Sequence, residues 1–129
     1  MQSVRDIMTT TVKTIHRDTL IGDVEGIFVT ERISGAPVVD DLGNMVGFVS
    51  KSDISRFLAT NEDPAYARVF EITHFKVISV EPSASIGDAA HKMLHGHVHH
   101  LVVMDEENMV GVLSSLDYVE FVARNSDRS

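Results

Sequence analysis

The chain has 129 residues, with 11 Lys and Arg against 19 Asp and Glu, a formal net charge of −8 and no cysteine. The acidic balance argues against nucleic acid and anionic membrane as partners, although one nucleotide needs only local donors. The missing thiols exclude disulfides, thiol catalysis and thiolate metal sites. A hydrophobic content of 43% with 23% charged residues suits an ordered globular protein of about one domain's length, with an adequate but not large core. No apolar run approaches the ~18 residues needed to span a bilayer, and Met1 to Asp6 shows no apolar leader, so the expectation is a soluble, cytoplasmic protein without membrane contact.

In chain order, Val4 to Met8 reads as a short lead-in helix, and Val12 to Ile15 alternates like a strand. Asp18 or Thr19 can cap a helix from Leu20 to about Arg32, in which Val24, Ile27 and Phe28 keep helical spacing. Gly26 inside it costs about 1 kcal/mol of propensity and suggests close helix packing. Ala36 to Val39 is a strand with Pro37 near its start, Asp41 to Asn44 a turn, and Met45 to Ser50 the returning strand. Ser52 to Ala59 forms a helix, and a polar linker with Pro64 follows. Ala65 to Glu71 regains a helical turn. Then come strand Lys76 to Val80, helix Ser85 to His95, strands His100 to Met104 and Met109 to Ser114, helix Leu116 to Arg124 and a polar tail. The expected division is 1–59 with the lead-in helix, linker 60–68, second unit 69–124 and tail 125–129.

The second half repeats the first. An offset of 65 lays Val4 on Val69, Ile7 on Ile72, Val12 on Val77, Ile21-Gly22-Asp23 on Ile86-Gly87-Asp88 and Asp40 on Asp105. One residue is lost in a polar turn, and the offset becomes 64 from Asn44 on Asn108 through Asp53 on Asp117. A unit of this length buries little core alone, so the two are expected to fold as a pair.

The repeated stretch with the most chemistry is Gly47-Phe48-Val49-Ser50-Lys51-Ser52-Asp53, echoed by Gly111-Val112-Leu113-Ser114-Ser115-Leu116-Asp117. Each reads as a strand ending in Ser at a helix start. Backbone N–H groups there can hold a phosphate, the serine hydroxyl can add a bond, and an Asp one turn on can accept from a ribose diol. Ser-x-x-Asp is equally a helix capping box. Capping alone does not explain the glycine and the apolar trio upstream of both copies.

This doubled strand–helix–strand–strand–helix pattern resembles the CBS domain, named after cystathionine beta-synthase, in a tandem pair called a Bateman module. The matching pieces are Ile7-Met8, Ile21-Gly22-Asp23, Ser34 to Asp40, Val98 to Asp105 and the two Gly-to-Asp motifs. The resemblance implies an α/β fold of two pseudo-symmetric β-α-β-β-α units whose small three-stranded sheets pack together. It also implies a homodimer formed through helices, and adenosine-containing ligands (AMP, ADP, ATP or S-adenosylmethionine) in two clefts between the units. Such a module is a non-enzymatic sensor acting on an effector protein, here in trans, with no required cofactor and no catalytic residue. Carried over by position, Asp53 and Asp117 would hold ribose hydroxyls, and Ser50 and Ser114 would meet phosphate or ribose oxygens. Ser34-Gly35 and His99-His100 would flank base and phosphate. Lys51 faces Ser115 across the repeat, and His100 stands where the family often has a basic residue, so the two clefts are expected to be unequal.

Other features carry less. His91 and His95 are one helical turn apart, a spacing that can hold a metal, but His97 to His100 crosses a turn into a strand, and no metal site is expected. No serine lies in a nucleophile elbow. Leu116, Val119 and Val122, with Tyr118 and Phe121, make the last helix apolar around much of its girth, which points to a second subunit or to burial between the repeats. The alternatives to a sensor are a structural dimerisation module without ligand and a histidine-based metal binder.

Overall fold

A computed structural model describes residues 2–60, 63 and 65–126. Its elements in chain order are α1 (Val4–Ile7), β1 (Ile15–His16), α2 (Ile21–Glu31), β2 (Gly35–Val39), β3 (Met45–Ser50), α3 (Lys51–Ala59) and a 3₁₀ turn (Val69–Ile72). Then follow β4 (Ser79–Val80), α4 (Ile86–Gly96), β5 (His100–Asp105), β6 (Asn108–Ser114) and α5 (Ser115–Ser126). The strands form two three-stranded sheets, β1-β2-β3 and β4-β5-β6. In each, a two-residue strand runs parallel to the central strand, which pairs antiparallel with the strand that enters the motif helix.

The expected strands Val12 to Ile15 and Lys76 to Val80 shrink to Ile15–His16 and Ser79–Val80. Register pairing covers those residues, opposite Val38–Val39 in one sheet and Val102–Val103 in the other, and Ile78 O adds one bond by accepting from the Val102 N–H at 3.1 Å. The expected helical turn before Glu71 is the 3₁₀ turn. The cap of α2 also differs: Leu20 stands at the N-cap with no side-chain bond, whereas Ser85 caps α4 by accepting from the Asp88 N–H at 3.0 Å. Gly26 does not mark close helix packing, because a β-carbon there would meet nothing within 4 Å.

The chain folds as two compact units, Lys13–Val77 and the pair of segments Met1–Val12 and Ile78–Ser129. This grouping cuts across the sequence repeats, because each repeat's lead-in sits with the other repeat's body. In the second unit, Val4 N–H donates to Ala84 O at 2.9 Å, Arg5 N–H to Pro82 O at 3.0 Å, and Val4 is fully buried among Val80, Ala89, Leu101 and Leu113. In the other unit, Val69 N–H donates to Thr19 O at 2.8 Å and Ile21 N–H to Ala67 O at 2.9 Å. Val69 is buried there with Ile15, Val24, Phe28, Val49 and Ile54. Ala36 and Val38 of β2 belong to the core of the Lys13–Val77 unit, and Leu101 and Val103 of β5 to that of the other.

The glycine of each motif makes this lead-in possible. Phe48 and His74 exchange both backbone hydrogen bonds at 2.9 Å, and Val112 and Thr9 exchange theirs at 3.0 and 2.9 Å. A β-carbon on Gly47 would run into Thr73 Cγ2 and the His74 carbonyl oxygen, and one on Gly111 would lie 2.9 Å from the Thr9 carbonyl oxygen. Only glycine lets the lead-in lie this close to the strand.

Helix α5 has no buried residue among those described, and Leu116, Val119 and Val122 are each about 60% exposed, so burial against its own chain does not cover its apolar side. No described helix is long and apolar enough to cross a membrane.

Candidate functional site

Each Ser-x-x-Asp stretch forms a polar station at a strand–helix junction. In the Lys13–Val77 unit, register places Gly35 opposite Ser50, and Lys51 N–H donates to Ser34 O at 2.8 Å. Ser34, Gly35, Ser50 and Asp53 therefore gather at one sheet end. In the other unit His100 lies opposite Ser114, and Ser115 N–H donates to His99 O at 2.9 Å, which gathers His99, His100, Ser114 and Asp117 in the same way. All eight residues expected from the sequence thus fall into two equivalent quartets.

The two aspartates are held differently. Asp53 is buried, its side chain 4% exposed. Its Oδ2 accepts from the Ser50 N–H at 2.7 Å and from Ser50 Oγ at 2.9 Å, closing the capping box of α3. Its Oδ1 lies 2.6 Å from His74 Nε2 and 3.5 Å from Arg56 Nη2. Asp117 is half-buried. Its Oδ2 accepts from the Ser114 N–H at 2.8 Å and its Oδ1 from Thr9 Oγ1 at 3.2 Å. The 65-residue offset lays Thr9 on His74, and the 64-residue offset lays Arg56 on Glu120, so these neighbours are exchanged between equivalent places.

His74, Thr9 and Arg56 are the site residues that sequence reasoning missed. The repeat alignment carries the signal, since Val4, Ile7 and Val12 align with Val69, Ile72 and Val77 on either side of the Thr9–His74 pair.

Beside Asp117, a recess of about 360 Å³ opens at α1 and α5, lined among others by Asp6, Thr9, Asp117, Glu120 and Arg124. Its size lies at the small end of ligand pockets. Tyr118, next along α5, donates its hydroxyl to Ile86 O at 2.6 Å. Burial first, and then the Asp117 carboxylate, push its phenol above the ordinary tyrosine range.

The histidine group does not converge. His97 takes a left-handed conformation (φ 52°) at the end of α4 and turns the chain away. His91 and His95 face solvent with ring centroids 6.1 Å apart. Among the described residues, the three-residue cluster with metal-ligating atoms within 4.8 Å is His16, Asp18 and Asp41. His16 Nδ1 accepts from the Asp18 backbone N–H at 3.1 Å, and Nε2 meets Asp41 Oδ1 at 2.6 Å. Both ring nitrogens of His16 are thus engaged within the cluster.

Comparison with known proteins places this chain in a wider group. Among curated relatives, protein MJ1225 of Methanocaldococcus jannaschii is 27% identical over 94% of this chain, which spans 43% of that protein's length. The structure of a protein with CBS domains from Burkholderia ambifaria MC40-6 superimposes with a TM-score of 0.89 at 26% identity, covering 95% of each chain. The CBS domain pair of protein MJ0100, solved in complex with 5′-methylthioadenosine and S-adenosyl-L-methionine, gives a TM-score of 0.86 at 25% identity, covering 97% of this chain and 98% of that one. The CBS domain pair is a regulatory module and generally non-catalytic. The CBS domain model matches twice, over residues 4–60 and 69–124, and the chain belongs to the CBS domain family as a tandem pair.

Proposed function

We propose that this chain is a non-enzymatic sensor that binds an adenosine-containing ligand, such as AMP, ADP, ATP or S-adenosylmethionine, at its Ser-x-x-Asp stations. It passes the bound state to an effector protein in trans as a population shift. The observation that carries the reading is the doubled quartet, in which serine, aspartate, a helix N-terminus and the head of a central strand meet in each unit. An aspartate there accepts from a diol, and the helix N-terminus favours an anion. The MJ0100 pair, of the same fold and size, is a complex with two adenosine compounds. The sensor is a cytoplasmic homodimer whose α5 faces a second copy through Leu116, Val119 and Val122.

One observation favours a second reading. Both aspartates already serve backbone N–H groups of their own helices, which is what a structural dimerisation module without ligand would need. A thermal-shift panel of AMP, ADP, ATP, S-adenosylmethionine, NAD and a guanine nucleotide decides between them. A ligand at a thousand times its dissociation constant stabilises by roughly 4 kcal/mol, on the order of ten degrees for this length. A shift with adenosine compounds that vanishes in the Asp53→Ala/Asp117→Ala variant supports the sensor. No shift with any compound supports the structural module.

A further inference from the structure

The two aspartates differ in how much acceptor capacity they have left. A carboxylate offers about four lone-pair positions. Asp53 has three of them committed, to Ser50 N–H, Ser50 Oγ and His74 Nε2, and the Arg56 guanidinium stands at the fourth, 3.5 Å away. Asp117 has two committed, to Ser114 N–H and Thr9 Oγ1. The Thr9 contact, at 3.2 Å, is long for a hydroxyl donor, whereas the His74 contact is 2.6 Å.

We propose that His74 is a specificity-determining residue: its imidazole occupies the place on Asp53 that a ribose diol would take, so the Asp53 station is closed and a single chain binds its ligand at Asp117. The inference rests on the sensor reading above.

The backbone of His74 is fixed against Phe48 by two hydrogen bonds of 2.9 Å, in a channel that Gly47 leaves open, so the ring is aimed at Asp53 from a rigid base. Its side chain is 60% exposed and the aspartate's 4%, so the ring caps the carboxylate from the solvent side, from which a ligand would reach it. A diol binding there must displace a short hydrogen bond to an ionised acceptor, one of the stronger kinds. At the equivalent place in the other unit, a threonine hydroxyl covers less of Asp117 and can itself bond to a ligand. The recess of about 360 Å³ opens beside Asp117 and Thr9.

The test is calorimetric titration with AMP and, separately, S-adenosylmethionine. It uses the full chain as wild type, His74→Thr, His74→Gln, Asp117→Ala and the His74→Thr/Asp53→Ala double variant, each checked for folding by its melting temperature. The expected result is one equivalent bound per wild-type chain, lost in Asp117→Ala. His74→Thr, which copies the Thr9 arrangement, takes up a second equivalent, and the double variant loses it. His74→Gln keeps a donor on Oδ1 and stays at one. Two equal sites in the wild type, or one site in His74→Thr, overturns the role of His74 and leaves the sensor reading standing. No binding of either compound by any of these proteins overturns both.

Discussion

Gly47 lies directly against His74: a β-carbon at position 47 would run into the histidine's carbonyl oxygen and into Thr73 Cγ2. Gly47→Ala must therefore push the lead-in away from β3 and break the paired bonds between Phe48 and His74. Overpacking of this kind costs about 1–3 kcal/mol. Gly26→Ala, in a helix where the new methyl meets nothing within 4 Å, should instead stabilise by about 0.5–1 kcal/mol. Urea denaturation of both variants reads the opposite signs directly.

Asp53 and Asp117 should also separate in stability. Asp53→Ala strips a buried cap and leaves the Ser50 N–H and the His74 ring without their acceptor, at a cost of about 1–3 kcal/mol. Asp117→Ala removes one backbone bond and one longer hydroxyl bond from a half-buried place, for about 0.5–1.5 kcal/mol. Equal losses in ligand-free unfolding would contradict the difference in packing around the two carboxylates.

Tyr118 predicts an alkaline sensitivity. In the unfolded chain its phenol ionises near pH ~10, and in the fold it holds its proton to higher pH. The folded state therefore binds the proton more tightly, and the contribution of Tyr118 to stability, complete below pH ~10, is lost as pH rises through the folded value. Tyr118→Phe should lose about 1 kcal/mol at neutral pH with the bond to Ile86 O, and its stability should fall less steeply in the alkaline range than that of the wild type. Denaturation curves of both proteins at neutral pH and near pH ~11 measure the difference.

The exposed side of α5 makes a prediction about assembly. Val119 sits between Leu116 and Val122 on a helix with no buried residue, and Val119→Asp puts a charge in the middle of that strip. Sedimentation equilibrium should give a dimer for the wild type and a monomer of unchanged fold, by circular dichroism, for the variant.

Much of this arrangement is legible in the residues. The order of elements follows from alternation, turn chemistry and a repeat that holds register through Asp53 and Asp117, while the two sheets and the members of both quartets are what the resemblance to the CBS domain implies. The fate of the lead-ins is not legible. Val4 and Ile7 present the same apolar pattern as Val69 and Ile72, so either pair would fit either core, and pattern alone does not choose. The His74 contact was hidden for a related reason: a residue 21 positions from Asp53 reaches it only once the lead-in has been threaded beside β3. Gly26 misled because propensity records what a residue costs, and only packing shows whether anything approaches it.

The crossed lead-ins set an order of assembly on the ribosome. The unit of Lys13–Val77 is a continuous piece of chain, and all of its core, including Val69, is available before β4 is made. The other unit is discontinuous. Val4 and Ile7 are synthesised early, but Val80, Leu101 and Leu113, which bury them, come last. Val4 and Ile7 therefore have no core to enter until the residues after Ile78 have been made. The Asp53 station draws only on residues of Lys13–Val77, whereas the Asp117 station exists only on a chain that has been translated past Asp117.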